Sequence, residues 1–212
     1  MRRVVALLAM SADGYYLDLK RALDWQTHAD EEFRQFLLDQ LGQADTLVLG
    51  RIIYERVAAS WPTPDSREPS TDPTAVIASI PKVVMSSTLT QANWPNTRVH
   101  PGPVDDELLH LMEQPGKGIV VLGSAMLTAA LLRMGLLAEL RILVNPVVTG
   151  QGRALLTGGY ETGIQLRSVR QFQQGRVLLC YLAPIGPTPR MIKYPDGHVE
   201  FGGWTRRQRP GP

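Results

Sequence analysis

Short continuous apolar runs alternate with longer amphipathic stretches along most of the chain. Val4–Met10 is apolar at every position, as expected of a strand covered on both faces. Asp30–Leu41 repeats at helical spacing. Phe33, Phe36, Leu37 and Leu41 form one stripe, and Asp30, Glu31 and Glu32 sit in the first turn, where the helix dipole favours acids. Thr46–Leu49 reads as a second buried strand, Arg51–Ala59 as a short helix stopped near Ser60-Trp61-Pro62, and Lys82–Ser86 as a third strand. Val104–Glu113 is a predicted helix and Gly118–Leu122 a fourth strand. Ala125–Met134 is a helix closed by Gly135, and Leu140–Val148 a further buried strand before a Gly150-Gln151-Gly152 turn. Gln165–Phe172 and Arg176–Leu182 form an expected hairpin joined at Gln174-Gly175. Repeated strand–helix alternation predicts a mostly parallel sheet with helices on both faces, to which the last hairpin adds antiparallel strands.

Two segments depart from this rhythm. Residues 62–74 hold Pro62, Pro64, Pro69 and Pro73 among Thr, Ser and Asp, and read as a loop that a bound ligand would quieten. Near the end, Met191–Tyr194 and His198–Phe201 flank Pro195-Asp196-Gly197 as a small hairpin, which needs something to dock on because a lone hairpin is marginal in water.

Composition narrows the classes. With 212 residues and 44% hydrophobic content, the chain supports one sizeable core plus an extension, divided here as 1–186 and 187–212. No apolar run approaches the ~18–20 residues of a membrane span. The start, MRRVVALLAMSADGYY, has only a short apolar stretch ending in a polar turn, and reads as a first strand rather than a secretory signal. One cysteine, Cys180, makes no internal disulfide, in keeping with a reducing cytoplasm. The net charge of +2 is unevenly placed: Arg190, Lys193, Arg206, Arg207 and Arg209 against Asp196 and Glu200 give the extension +3 and leave −1 for the rest. Nucleic acid is therefore an unexpected partner for the body, and the extension reads as a terminal tail rather than a binding arm.

Two junctions carry candidate chemistry. Val48-Leu49-Gly50-Arg51 and Val121-Leu122-Gly123-Ser124-Ala125 each put a glycine at the end of a buried strand just before a helix. Ligands of open α/β sheets bind outside the carboxyl ends of the strands, and the N–H groups opening a helix favour anions. Two such junctions, one with an arginine, point to a phosphate-bearing ligand. Neither is a Rossmann or Walker loop. His28, His100, His110 and His198 are scattered without metal-ligand spacing, and no Gly-x-Ser-x-Gly elbow supplies a nucleophile.

In their order and spacing, several segments resemble the dihydrofolate-reductase-like superfamily. They are similar in particular to the reductase domain of the riboflavin-biosynthesis deaminase–reductase and its stand-alone relatives. The segments are ALLAMSADGYY (6–16), Trp25 leading to ADEEF (29–33), DTLVLGRIIYE (45–55), Trp61-Pro62, PKVVMSSTL (81–89), GKGIVVLGSAML (116–127) and GLLAELRILVNPVVTGQGRALL (135–156). The resemblance spans about residues 2–184. It implies a three-layer α/β/α fold with a mostly parallel mixed sheet and a C-terminal antiparallel hairpin. It also implies NADPH as cofactor and hydride transfer to a nitrogen heterocycle as the reaction.

Carried over by position, the resemblance places Ala9 against the nicotinamide amide through its backbone and Gly14 in the loop covering the nicotinamide. It places Gly50 and Arg51 at the adenosine phosphates, Ser86 and Ser87 beside the adenosine ribose phosphate, and Gly123, Ser124 and Ala125 around the pyrophosphate. Two positions depart from the pattern. Ile53 stands where a threonine is frequent, removing a hydroxyl. Gly123-Ser124 replaces the paired glycines of true dihydrofolate reductases and is ordinary in the riboflavin-type branch.

Trp25 and Asp30 keep the tryptophan–carboxylate separation of dihydrofolate reductases, so the resemblance implies that Asp30 binds a ring N–H and amine and assists protonation. The bland alternatives stay open: Asp30 as a first-turn acid or cap, and Trp25 as a core or rim aromatic. The pathway enzyme's deaminase half has no counterpart in these residues. The implied activity is at most that of 5-amino-6-(5-phosphoribosylamino)uracil reductase or of dihydrofolate reductase. The alternative is a non-catalytic dinucleotide-, flavin- or pterin-binding protein on the same fold. Relatives of this branch also imply a homodimer, with Ile142–Val148 and the Gly150–Leu156 arm as the expected pairing surface.

Overall fold

The computed structural model describes residues 1–17, 31–60, 73–156 and 162–184, together with the backbone of two short strands at 191–193 and 199–201. The elements in chain order are β1 (Val4–Ser11), α1 (Glu31–Gly42), β2 (Ala44–Gly50), α2 (Arg51–Ser60), α3 (Pro73–Ser79), β3 (Lys82–Met85) and β4 (Thr97–His100). They continue with α4 (Val104–Glu113), β5 (Gly118–Leu122), α5 (Ala125–Met134), β6 (Glu139–Asn145), β7 (Gln165–Gln171), β8 (Val177–Leu182), β9 (Met191–Lys193) and β10 (Val199–Phe201).

Eight strands form one sheet in the order β4-β3-β2-β5-β1-β6-β8-β7. The six from β4 to β6 are parallel, whereas β8 and β7 run antiparallel to their neighbours. This is the expected three-layer α/β/α fold. On one face, Phe33, Phe36 and Leu37 of α1, Ile53 and Val57 of α2, and Ile77 of α3 pack against Leu7, Leu47 and Leu49. On the other, Leu108 and Leu111 of α4 and Leu131 and Leu132 of α5 pack against Ala6, Leu8 and Val121. The apolar runs are continuous because alternate side chains enter alternate cores. Among the described residues no helix is long and apolar enough to cross a membrane.

Several local signals translate directly. The α1 stripe is buried as expected, with Phe33 set edge-on to Phe172 at 5.3 Å between ring centroids. Gly135 closes α5 at φ 66°, its N–H bonding to Leu132 O at 3.2 Å while Leu136 N–H reaches Leu131 O at 3.0 Å. The acids of the α1 first turn also have tertiary work. Glu32 pairs with Arg170 at 3.0 Å and accepts the Gln173 N–H at 3.2 Å, tying α1 to the β7–β8 turn. The strands β9 and β10 pair antiparallel, as the expected hairpin requires, with Ile192 opposite Glu200, whereas the Pro195-Asp196-Gly197 turn lies outside the described residues.

Other expectations need correction. The loop expected over 62–74 does not include residues 73 and 74, because Pro73 opens α3 at a position where its missing N–H costs nothing. Residues 61–72 lie outside the described residues. The strand expected over Leu140–Val148 stops at Asn145, since Pro146 cannot donate to the ladder. That strand is also no pairing surface: β6 is hydrogen-bonded on both sides, to β1 and β8, and Ile142 and Leu143 are buried.

A buried cation holds the short α3 in place. Lys82 is 1% exposed, and its Nζ donates to the carbonyls of Ile77 at 3.0 Å, Ala78 at 2.9 Å and Ile80 at 2.7 Å, beneath the Trp94 ring at 4.8 Å. Two of these carbonyls belong to the last turn of α3 and the third to the residue just beyond it, where the short helix has no further N–H groups to offer, and the ammonium supplies three donors at once.

Candidate functional site

All six parallel strands deliver a residue to one cavity of about 660 Å³ at their carboxyl ends. Tyr16 comes from the segment after β1, Gly50 and Arg51 from the β2–α2 junction, and Ser86, Ser87 and Thr88 from the end of β3. Pro101 and Gly102 follow β4, Gly123, Ser124 and Ala125 follow β5, and Arg153 follows β6. Seven residues expected at a cofactor therefore line one cavity: Gly50, Arg51, Ser86, Ser87, Gly123, Ser124 and Ala125. Ala9 and Gly14 do not line it. Ala9 is buried within β1, where its carbonyl accepts the Leu17 N–H at 3.0 Å, and Gly14 turns the chain after β1 at φ 88°. Trp25 and Asp30 lie outside the described residues.

The two glycine junctions face each other closely. A Cβ on Gly50 would sit 2.8 Å from Ser124 Oγ, and Gly123 adopts φ 66°, which side chains other than hydrogen resist. Ser124 precedes α5 but makes no side-chain cap, while its carbonyl accepts from both the N–H and the hydroxyl of Thr128 at 2.9 and 2.8 Å. The first N–H groups of α5 thus have no side-chain cap among the described residues at the edge of the cavity. Gly50→Ala is expected to lower stability by about 1–3 kcal/mol through this close approach. Adding Ser124→Gly should restore most of the loss in thermal denaturation; no recovery would show that the strain lies elsewhere.

The electrostatics favour an anion. Arg51, Arg56 and Arg153 all line the cavity. Arg51 is half exposed and pairs with Glu55 at 3.0 Å, the ordinary i,i+4 contact, whereas Arg56 and Arg153 form no ion pair among the described residues. Ser86 Oγ accepts the N–H groups of Thr88 at 3.2 Å and Leu89 at 2.9 Å, fixing the turn, and shares a hydroxyl–hydroxyl contact with Thr88 Oγ1 at 3.4 Å. Ile53 is buried in the core beside the cavity, so no hydroxyl stands there.

Tyr16, Arg56 and Arg153 were not signalled by the sequence motifs. Tyr16 donates its hydroxyl to Gly123 O at 2.7 Å and props the β5–α5 turn. Arg153 reaches the cavity because the segment after β6 folds back on the exit from β1: Tyr16 N–H bonds to Arg153 O and Ala12 N–H to Val147 O, each at 2.8 Å. Asp13 fastens this fold-back by accepting the Gly150 N–H at 2.8 Å and the Thr149 N–H at 3.2 Å. The Ser11 hydroxyl, then these N–H groups, hold the Asp13 carboxyl down at about 2. A depressed carboxyl stabilises the fold above its unfolded value near 3.8, and that contribution disappears as pH falls through about 2. Asp13→Asn is expected to speed hydrogen exchange at Thr149 and Gly150 at neutral pH; unchanged exchange would show that the carboxylate does not hold the segment.

The fold and site together define an open, mostly parallel α/β protein with a cavity across its strand ends, where ligands of such sheets bind. The chain belongs to the RibD C-terminal domain family, whose model matches residues 2–178. It is 26% identical over 182 residues to the uncharacterized protein YyaP of Bacillus subtilis (strain 168), covering 85% of this chain and 94% of that protein. Among solved structures, it is similar in fold to a pyrimidine reductase-like protein from Corynebacterium diphtheriae. That match has a TM-score of 0.60 at 13% identity and covers 86% of this chain and 92% of the other. The fold is also similar to that of a diaminohydroxyphosphoribosylaminopyrimidine deaminase/5-amino-6-(5-phosphoribosylamino)uracil reductase from Thermotoga maritima. There the TM-score is 0.59 at 13% identity, with 86% of this chain and 56% of that chain covered.

Proposed function

We propose that this protein is an NADPH-dependent reductase of a nitrogen heterocycle, similar in activity to 5-amino-6-(5-phosphoribosylamino)uracil reductase. The observation that carries this conclusion is the convergence of two helix-opening glycine junctions and three arginines on one cavity. A volume of about 660 Å³ lies within the usual range for small-molecule and cofactor sites. The residues present fit a dinucleotide phosphate. Gly50 and Gly123 let backbone approach, the α5 N–H groups and Arg153 would hold the pyrophosphate, and Arg51, Ser86 and Ser87 would hold the 2′-phosphate.

When bound, NADPH supplies the hydride. The chain's own contribution is positioning, which needs no nucleophile. Asp30 would orient the heterocycle through its ring N–H and amine, with Trp25 beside it. Residues 1–186 would make up the reductase domain and 187–212 a basic extension.

Ile53 favours a second possibility, binding without turnover, because it removes a hydroxyl from the cavity wall. Titration of the pure protein with NADPH, followed by fluorescence and thermal shift, tests the cofactor. NADPH oxidation in the presence of candidate pyrimidine and pterin acceptors then separates reductase from binding protein. Absence of NADPH binding would remove both.

The proposal includes a homodimer. The fully exposed edge strand β7, carrying Leu166 and Val169, is the surface the fold offers for it. Sedimentation showing only the 23.4 kDa species at micromolar concentration would remove the dimer.

A further inference from the structure

We propose that Tyr16 is a positioning residue for the diphosphate bridge of a dinucleotide, which it serves by locking the Gly123–Ser124 peptide of the β5–α5 turn in one orientation. The inference rests on the cofactor reading above and narrows it, since a lone pterin or a flavin mononucleotide has no diphosphate for that turn to hold.

The backbone on either side of this peptide is fixed by the fold. At the entry to the turn, Gly123 N–H bonds to Leu7 O at 2.8 Å. At the exit, the Ser124 carbonyl accepts the N–H and the hydroxyl of Thr128 at 2.9 and 2.8 Å. The peptide between them offers the Gly123 carbonyl, which accepts the Tyr16 hydroxyl at 2.7 Å. Gly123 sits at φ 66°, and glycine reaches either sign of φ at little cost. A peptide after such a residue can rotate while its neighbours stay in place. Rotation would reverse the Ser124 N–H, because the carbonyl and N–H of a planar trans peptide point in opposite directions. The Tyr16 bond therefore selects the direction of the N–H that leads into α5, at residues that line the cavity.

Tyr16 is also anchored to the segment that brings Arg153. Its N–H bonds to Arg153 O at 2.8 Å, and it bridges antiparallel to Met10 near the end of β1. One residue thus holds the backbone of Arg153 in register with the opening of α5, the two groups assigned to the diphosphate. Donors fixed before the ligand arrives lower the ordering cost at binding. The hydroxyl proton is committed to Gly123 O, so Tyr16 acts through the turn.

Tyr16→Phe removes the hydroxyl and keeps the ring. Calorimetric titration of the full chain and of this variant with NADPH, NADH and 2′-AMP tests the inference. NADPH and NADH are expected to lose affinity equally, about three- to tenfold, as for one neutral hydrogen bond. Binding of 2′-AMP, which carries the ribose phosphate without the diphosphate, should be unchanged. A general loosening of the fold would weaken all three ligands, and loss of a 2′-phosphate contact would weaken NADPH alone. Hydrogen exchange of the ligand-free proteins gives a second measurement, in which the Ser124 and Ala125 amides should exchange faster in Tyr16→Phe. Undiminished dinucleotide binding in the variant, a loss confined to NADPH, an equal weakening of 2′-AMP, or unchanged exchange at Ser124 and Ala125 overturns the inference and leaves the cofactor reading standing. Absence of binding of either dinucleotide to the unaltered protein overturns both.

Discussion

Arg51→Ala is expected to weaken NADPH binding about 10- to 150-fold while changing NADH binding far less. The fold-change corresponds to one charge-assisted contact of about 1.5–3 kcal/mol. Arg51 follows a strand-terminal glycine and opens α2 at the edge of the cavity, which it shares with Ser86, Ser87 and Thr88. A guanidinium fork there suits a ribose phosphate dianion that NADH does not carry. The competing role is visible as well: Arg51 already pairs with Glu55 at 3.0 Å. An exposed i,i+4 pair contributes only ~0.3–0.5 kcal/mol, so a phosphate would readily share or displace it. Glu55→Gln should accordingly leave NADPH binding intact or slightly tighter. Titrating both cofactors against each variant decides the matter, since equal losses for NADH and NADPH, or none for either, would show that Arg51 does not read the 2′-phosphate.

Lys82→Met is expected to cost about 2–4 kcal/mol of stability, because the isosteric stem remains while three buried carbonyls lose their donor. For a chain of this size that lowers the melting temperature by roughly 2–4 °C per kcal/mol. The pH dependence provides an internal check. Burial pushes the Lys82 ammonium down from 10.5 to about 8. Between those values the unfolded chain binds the proton that the folded chain has released, so this group makes stability rise with pH across that window and adds no slope below it. Lys82→Met should remove that rise. Denaturant unfolding at several pH values compares the two proteins. Equal stability and parallel pH profiles would mean that the carbonyls of Ile77, Ala78 and Ile80 find other donors.

The extent to which the architecture was legible depends on where each element draws its stability. Val104–Glu113, Gly118–Leu122 and Ala125–Met134 form over the expected residues because their boundaries are local: an acidic first turn, a glycine leaving a strand, a glycine closing a helix. Pro73–Ser79 and Thr97–His100 went unsignalled. The first is a seven-residue helix whose carbonyl end is satisfied by Lys82. The second has one apolar residue in four and exists through its ladder with β3, including the Ser86 N–H to His100 O bond at 3.0 Å. Neither has enough local preference to be stable alone.

The candidate site divides along the same line. By itself the sequence determined the alternation of strands and helices, the two glycine junctions and the arginine and serines beside them, since buried strands and phosphate-compatible turns each need particular residue types at short spacing. The tertiary structure decided that these junctions meet, at the carboxyl ends of strands that are not consecutive in the chain. It decided that the apolar β6 lies inside the sheet rather than on a surface, because β8 returns antiparallel to cover its free side. It also brought Tyr16 and Arg153 to the cavity, through backbone bonds between segments more than a hundred residues apart. Such membership is a property of chain crossings and side-chain register, and no window of neighbouring residues encodes it.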